Sequence, residues 1–244
     1  MANWSDPRTN AAFGATRVGA ADAAYDAGLR SYMLSIYNYM ASGVLLTGVV
    51  ALLFAGSGLA YQILAGPGLL KYVIMFAPLA FVMVLNFGIN RLSTFATQAL
   101  FWAFAVAMGL SMSSIFLVYT GTSIAQTFFA SAAAFAGLSL WGYTTKKNLS
   151  GVGTFLIMGM FGLMIAMLIN LFLHSSMMSL IISALGVLIF AGLTAYNTQQ
   201  LKSFYYQVAG SDFVGKSVVM GALTLYLDFI NMFMFLLRFM GDRR

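Results

Sequence analysis

The chain has 244 residues, 61% of them hydrophobic and only 7% charged, with a formal net charge of +6 and a mean hydropathy of +0.89. Soluble domains carry roughly a quarter charged residues, so this chain cannot cover itself with water-facing side chains, and lipid must solvate most of its surface. With no Cys and one His, disulfides, thiolate nucleophiles and the usual zinc sites are excluded, while basic residues dispersed between apolar runs record membrane orientation rather than nucleic-acid binding.

Residues 1–28 mix Ala, Gly, Asn and Asp with scattered Arg and hold no apolar core, so they read as a flexible cytoplasmic tail rather than a signal peptide. Residues 29–244 form the second unit, a transmembrane domain with apolar stretches at about 33–55, 69–88, 96–119, 124–143, 153–173, 177–197 and 216–237. Each run is continuous and about 20 residues long, as a helix crossing roughly 30 Å of hydrocarbon must be. Barrel strands would alternate apolar and polar residues instead, so the fold class is an all-α polytopic membrane protein with seven helices.

The connectors carry helix-breaking residues, among them Gly56-Ser57-Gly58, Gly66-Pro67-Gly68 and Gly121-Thr122-Ser123. The longest is expected at about 198–215. Pro78, inside the second stretch, predicts a kink. Small residues at close-packing spacing, such as Gly43, Ala130 with Ala134, and Gly159 with Gly162, predict helix contacts, and Ser139 is assigned to the same kind of packing. With the tail in the cytoplasm, Arg8, Arg17, Arg30, Arg91, Lys146, Lys147, Lys202 and Lys216 fall inside, against Lys71 outside. Arg238, Arg243 and Arg244 break the pattern, which leaves two readings of the seventh stretch: it spans, or it re-enters.

All six acidic residues are Asp, and only Asp228 lies within an apolar stretch. A carboxylate near the bilayer midplane costs about 2.5 to 3.5 kcal/mol on insertion scales, so it faces a cavity or partner and is a functional candidate by default. At 100° per residue, Ser217, Gly221, Thr224, Asp228, Asn231 and Arg238 share one arc of the last helix, a polar stripe suited to lining a narrow path through a bundle. A carboxyl held there can exchange its proton and take a cation in return. The end of the sixth stretch carries a second polar cluster, Tyr196-Asn197-Thr198-Gln199-Gln200, and Arg91, at the inner end of the second stretch, is a candidate counter-charge.

The run GALTLYLDFINMFMFLLRFMGDRR, the preceding YNTQQLK and the first-span segment AGLRSYMLSIYNYMASGVLLTG resemble the Bax inhibitor-1 family, particularly its bacterial members. The resemblance implies a seven-helix bundle in which two three-helix layers surround a central C-terminal helix. It also implies an inner-membrane location and a pH-sensitive calcium leak acting in calcium and proton homeostasis, with calcium as the transported ion and no cofactor. Asp228 would be one member of the family's pH-sensing aspartate pair and a transient calcium ligand, with Asn231 and Thr224 beside it. The other member is replaced: Asn197 stands where relatives commonly carry Asp. An amide can hydrogen-bond a carboxyl but cannot share or release a proton with it.

Competing classes fare less well. Intramembrane serine proteolysis needs a His base facing a Ser, and His174 lies in an outer turn. A retinal pump needs a mid-helix lysine, and Lys216 is at the edge of the last stretch. The chain is therefore not expected to be an enzyme. The remaining alternative is a regulator or scaffold acting on a membrane-anchored AAA protease, a role associated with some bacterial relatives, for which the tail would be the recognition segment. Channel and exchanger stay equally open.

Overall fold

The computed structural model describes the backbone of residues 7–243 and the side chains of residues 26–243. Most of the expected tail over 1–28 thus lies outside the described side chains. Among the described residues there are nine helices and no strand: α1 (Pro7–Gly56), α2 (Leu59–Leu64), α3 (Leu70–Gly88), α4 (Thr94–Met112), α5 (Ile115–Val118), α6 (Gly121–Thr144), α7 (Ser150–Leu173), α8 (Ser176–Val208) and α9 (Val214–Met240). Seven spans are long and apolar enough to cross a membrane, with Thr94–Val118 formed by α4 and α5 together. The break between those two falls at Ser113 and Ser114, whose hydroxyls donate to Leu110 O and Ser111 O and compete with the helical ladder. Starts of α4, α6 and α8 are fixed by Ser93, Thr120 and Ser175, each accepting from the backbone N–H three residues on.

The helices sort into two layers. In the first, α1 and α3 pack on α4; in the second, α6 and α7 pack on α8; α9 lies between them, against α8, α1, α6 and α4. The burial follows from that position: in its most apolar 18-residue stretch 72% of α9 is buried, against 11% for α3 and α7 and 44% at most for any other span. Lipid solvates the outer helices, so their Leu, Ile and Phe side chains face outward without cost, while the helix with a carboxyl at its middle, Asp228, is withdrawn from it.

α9 settles the question of the last stretch. Its 27 residues run unbroken, about 40 Å at 1.5 Å per residue, enough to cross the bilayer completely. At one end Lys216 donates to Ile89 O, beside Arg91. At the other, Asp242 N donates to Ser123 Oγ, Thr120 N donates to Asp242 O, and the Arg243 guanidinium lies 6.0 Å from the Tyr119 ring centre. Arg238 and Arg243 thus lie at the end of α9 opposite Lys216 and Arg91, and an unbroken helix of this length does not fit the re-entrant reading.

Two further expectations need correction. The long connector at 198–215 is mostly helix, since α8 continues through Val208; Gln, Lys and Leu are good helix formers, and loss of hydrophobicity marks only where the helix leaves the lipid. Ala130, Ala134 and Gly162 are exposed rather than packed between helices, whereas Gly43 and Gly159 do sit in contact with side chains, of Phe101 and Ile189. A close backbone approach between helices occurs at a glycine not singled out beforehand. A Cβ on Gly142 of α6 would lie 2.3 Å from the backbone oxygen of Ala195 in α8, which no side-chain rotation can relieve. Gly142→Ala is therefore expected to lower stability by about 2 kcal/mol, read as a lower melting temperature in detergent.

Candidate functional site

Asp228 sits midway along α9, 5% exposed, and its Oδ2 accepts a 2.7 Å hydrogen bond from Nδ2 of Asn197 on α8. The two residues separated by thirty-one positions are brought together because α8 and α9 are antiparallel neighbours joined by a short turn after Val208. Around them the packing is apolar and aromatic. Phe229 meets Phe135 and Phe128 edge to face, and Tyr226, about one turn earlier on α9, meets Phe101 and Phe104 in the same manner. In such surroundings the amide is the polar partner that makes burial of the carboxyl tolerable.

The contacts around Asn197 explain why five consecutive non-aliphatic side chains, Tyr196 to Gln200, occur in a membrane helix. Successive residues turn by about 100°, so each meets a different neighbour. The Tyr196 ring lies against Gly153 of α7, Asn197 reaches α9, and the Thr198 hydroxyl is 2.9 Å from that of Ser139 on α6. Gln199 clamps the turn between α6 and α7, accepting from Leu149 N at 2.9 Å and donating to Lys147 O at 2.8 Å. Gln199→Ala is expected to release this turn and raise amide hydrogen exchange in residues 146–150, leaving the rest of the chain unchanged.

Ser139 is more than a small packing residue. Its hydroxyl also lies 2.6 Å from the Tyr37 hydroxyl, so a chain of three hydroxyls runs from α1 through α6 to the residue beside Asn197. A second link lies two residues before Asp228. Thr47 Oγ1 donates to Ala105 O at 2.8 Å and, having one proton, must accept from the Tyr226 hydroxyl at 2.7 Å. This link ties α9 to α1 and α4. Tyr226→Phe is expected to cost about 1 to 2 kcal/mol, measurable as reduced thermal stability, because it leaves Thr47 short of a donor in a buried place. None of these hydroxyls stands out by sequence position; the available signal is a lone hydroxyl in a lipid-length apolar run, which needs a partner.

The other sequence candidates are placed apart. Thr224 and Asn231 lie on the same face as Asp228, half-buried, and both donate to carbonyls of their own helix, Met220 O and Leu227 O. Arg91 is exposed in the turn after α3, beside the start of α9, about a dozen residues and thus roughly 18 Å along the helix from Asp228. The polar stripe does not line an open path in this conformation, since α8 and α1 pack over it: a Cβ on Gly221 would touch Ile36 and Leu201. Among the described residues no group of three or more His, Cys, Asp or Glu side chains comes together. One carboxylate with an amide beside it suits a hard cation in passage and not one held tightly.

The sequence profile of the family described as "Inhibitor of apoptosis-promoting Bax1" matches residues 29–244. An uncharacterised protein of Rickettsia prowazekii (strain Madrid E) is 47% identical over 221 residues, covering 90% of this chain and 93% of the relative. The inner membrane protein YbhL of Escherichia coli K12 is 44% identical over 220 residues, covering 89% and 94%. An uncharacterised membrane protein of Streptococcus pyogenes serotype M3 is 37% identical over 218 residues, covering 88% and 94%.

Proposed function

Because the chain belongs to the Bax inhibitor-1 family, we propose that it is an integral inner-membrane protein that passes calcium or a similar cation under proton control, as a leak channel or a cation/proton exchanger. The single observation that carries this reading is the Asp228 carboxyl, 5% exposed at the middle of the central helix and held by Asn197. A lone buried acid is costly to place in a membrane interior and is a functional site by default.

The chemistry follows from what the two side chains offer. Asp228 binds either a proton or a cation at the same oxygens, so acidification lowers cation flux by competition. Asn197 presents Nδ2–H to the carboxyl when no ion is present, and its Oδ1 is the acceptor that a passing cation would meet. Since the stripe is covered by α8 and α1, passage requires α8 and α9 to separate at the Asn197–Asp228 contact, and this hydrogen bond is the gate. In the cell the end bearing Arg30, Arg91, Lys146, Lys147, Lys202 and Lys216 faces the cytoplasm, because basic residues are retained on that side.

The test is calcium entry into liposomes holding the purified protein and an internal calcium dye. Flux that rises as the pH is raised is expected, since protons and cations compete for the same oxygens. No flux above protein-free liposomes at any pH would overturn the reading and favour the regulator of a membrane-anchored protease, to be sought by partner capture from membranes.

A further inference from the structure

The two layers do not close everywhere around α9. Both α1 and α6 lean on α9, but they barely meet each other, and between them runs a cleft of about 800 Å³ floored by Phe229. It extends from Arg30 and Tyr143 at the basic end to Leu45 and Phe128 near mid-membrane, about 15 residues along each helix and so about 22 Å. That exceeds the roughly 15 Å of hydrocarbon in one leaflet. Its lips, Leu34, Leu45 and Leu140, are exposed to lipid, while Met33, Met40 and Phe135 are buried along its walls. The polar groups on the walls are consumed internally, since the Tyr37 and Ser139 hydroxyls bond each other.

The mouth is different in kind. Arg30 lies on the cleft itself, and Lys202 donates to Tyr143 O at 3.0 Å with its ammonium 5.0 Å from the Tyr143 ring centre. Beyond Tyr143 opens a polar pocket of about 570 Å³ lined by Lys146, Lys147 and Lys202 and by no acidic residue. An apolar slot one leaflet deep, ending at cations at headgroup level, matches one occupant in both length and charge.

We propose that the cleft between α1 and α6 binds an anionic phospholipid, its acyl chain along α9 at Phe229 and its phosphate between Arg30 and Lys202. The lipid then lies against Tyr37 and Ser139, the hydroxyl chain that ends beside Asn197, so its presence stiffens the wall of the central site. The inference stands on the cleft and the cations alone and does not require that the protein transports ions.

Native mass spectrometry of the full chain in detergent, titrated with phosphatidylglycerol or phosphatidylcholine of the same acyl chains, tests it. Phosphatidylglycerol should be retained about tenfold more than phosphatidylcholine, and the Arg30→Gln, Lys202→Gln double variant should lose most of that preference while still binding lipid. Ala136→Phe, which fills the slot from α6, should lose both lipids. A photoreactive acyl chain on phosphatidylglycerol, applied to the unaltered protein, should label peptides from α1 and α6 and not from α3 or α7, a result independent of whether a variant folds. Equal retention of the two lipids, labelling spread over all helices, displacement by free glycerol phosphate, or a lipid-free dimer occupying the cleft would each overturn the proposal.

Discussion

Asp228→Asn is expected to reduce calcium flux in liposomes by at least about tenfold at pH 8 and to erase what remains of its pH dependence. The substitution preserves shape, so the helix packing around α9 and the contact with Asn197 can be kept, while the negative charge and the exchangeable proton are both removed. Among the described residues the other acidic side chains lie at span ends or in turns, Asp26 and Asp212 at the basic end and Asp242 at the opposite end, and none is beside Asp228 to replace it. The variant should fold: an amide in place of the carboxyl costs less to bury, so its melting temperature in detergent should equal or exceed that of the natural chain. Loss of flux with undiminished stability separates a role in ion passage from a role in holding the bundle together. A variant that melts lower yet passes calcium with the natural pH profile would point to the opposite assignment.

Asn197→Asp carries the second large effect. It places a carboxyl within hydrogen-bonding distance of Asp228, and two carboxyls so close cannot both ionise freely, so the pair retains a shared proton. Acid inhibition of flux in this variant should set in at higher pH, by about one unit, than in the natural chain. Calcium should also be held more firmly, because two carboxylates give a hard cation twice the anionic oxygen charge. The observable consequence is a lower half-saturating calcium concentration together with a higher pH of half-inhibition. An unchanged pH profile would show that the contact seen between these side chains does not govern proton control.

Much of the architecture was legible in the sequence because lipid imposes a simple demand. Each span must be apolar over a bilayer's thickness, and five of the seven runs lie within about three residues of the spans found, the first starting later than Asp26 and the sixth ending short of Val208. The place of α9 was legible for a related reason: Asp228 cannot face lipid, so the helix carrying it had to be covered. What hydropathy could not show was where helices continue beyond the membrane, as α8 does through Val208. Nor could it pair hydroxyls on separate helices. Tyr37, Ser139 and Thr198 lie far apart in the chain, and each alone resembles ordinary packing. Charge counting alone left the last span open between two readings. The end of α9 that bears Arg238 and Arg243 is anchored by bonds of Asp242 to Thr120 and Ser123, local contacts that a rule about loop charges does not contain. The Asn197–Asp228 contact was half legible: the motif positions suggested the pair, but only the antiparallel packing of α8 on α9 fixes it at 2.7 Å.

The central claim is that one carboxyl exchanges a proton for a cation, and infrared difference spectroscopy of the protein in lipid reads that event at the bond concerned. Adding calcium at constant pH should bleach a protonated-carboxyl band, with release of a proton to the medium, and the band should be missing from Asp228→Asn. A carboxyl band that calcium leaves unchanged, or one that persists in Asp228→Asn, would contradict the account.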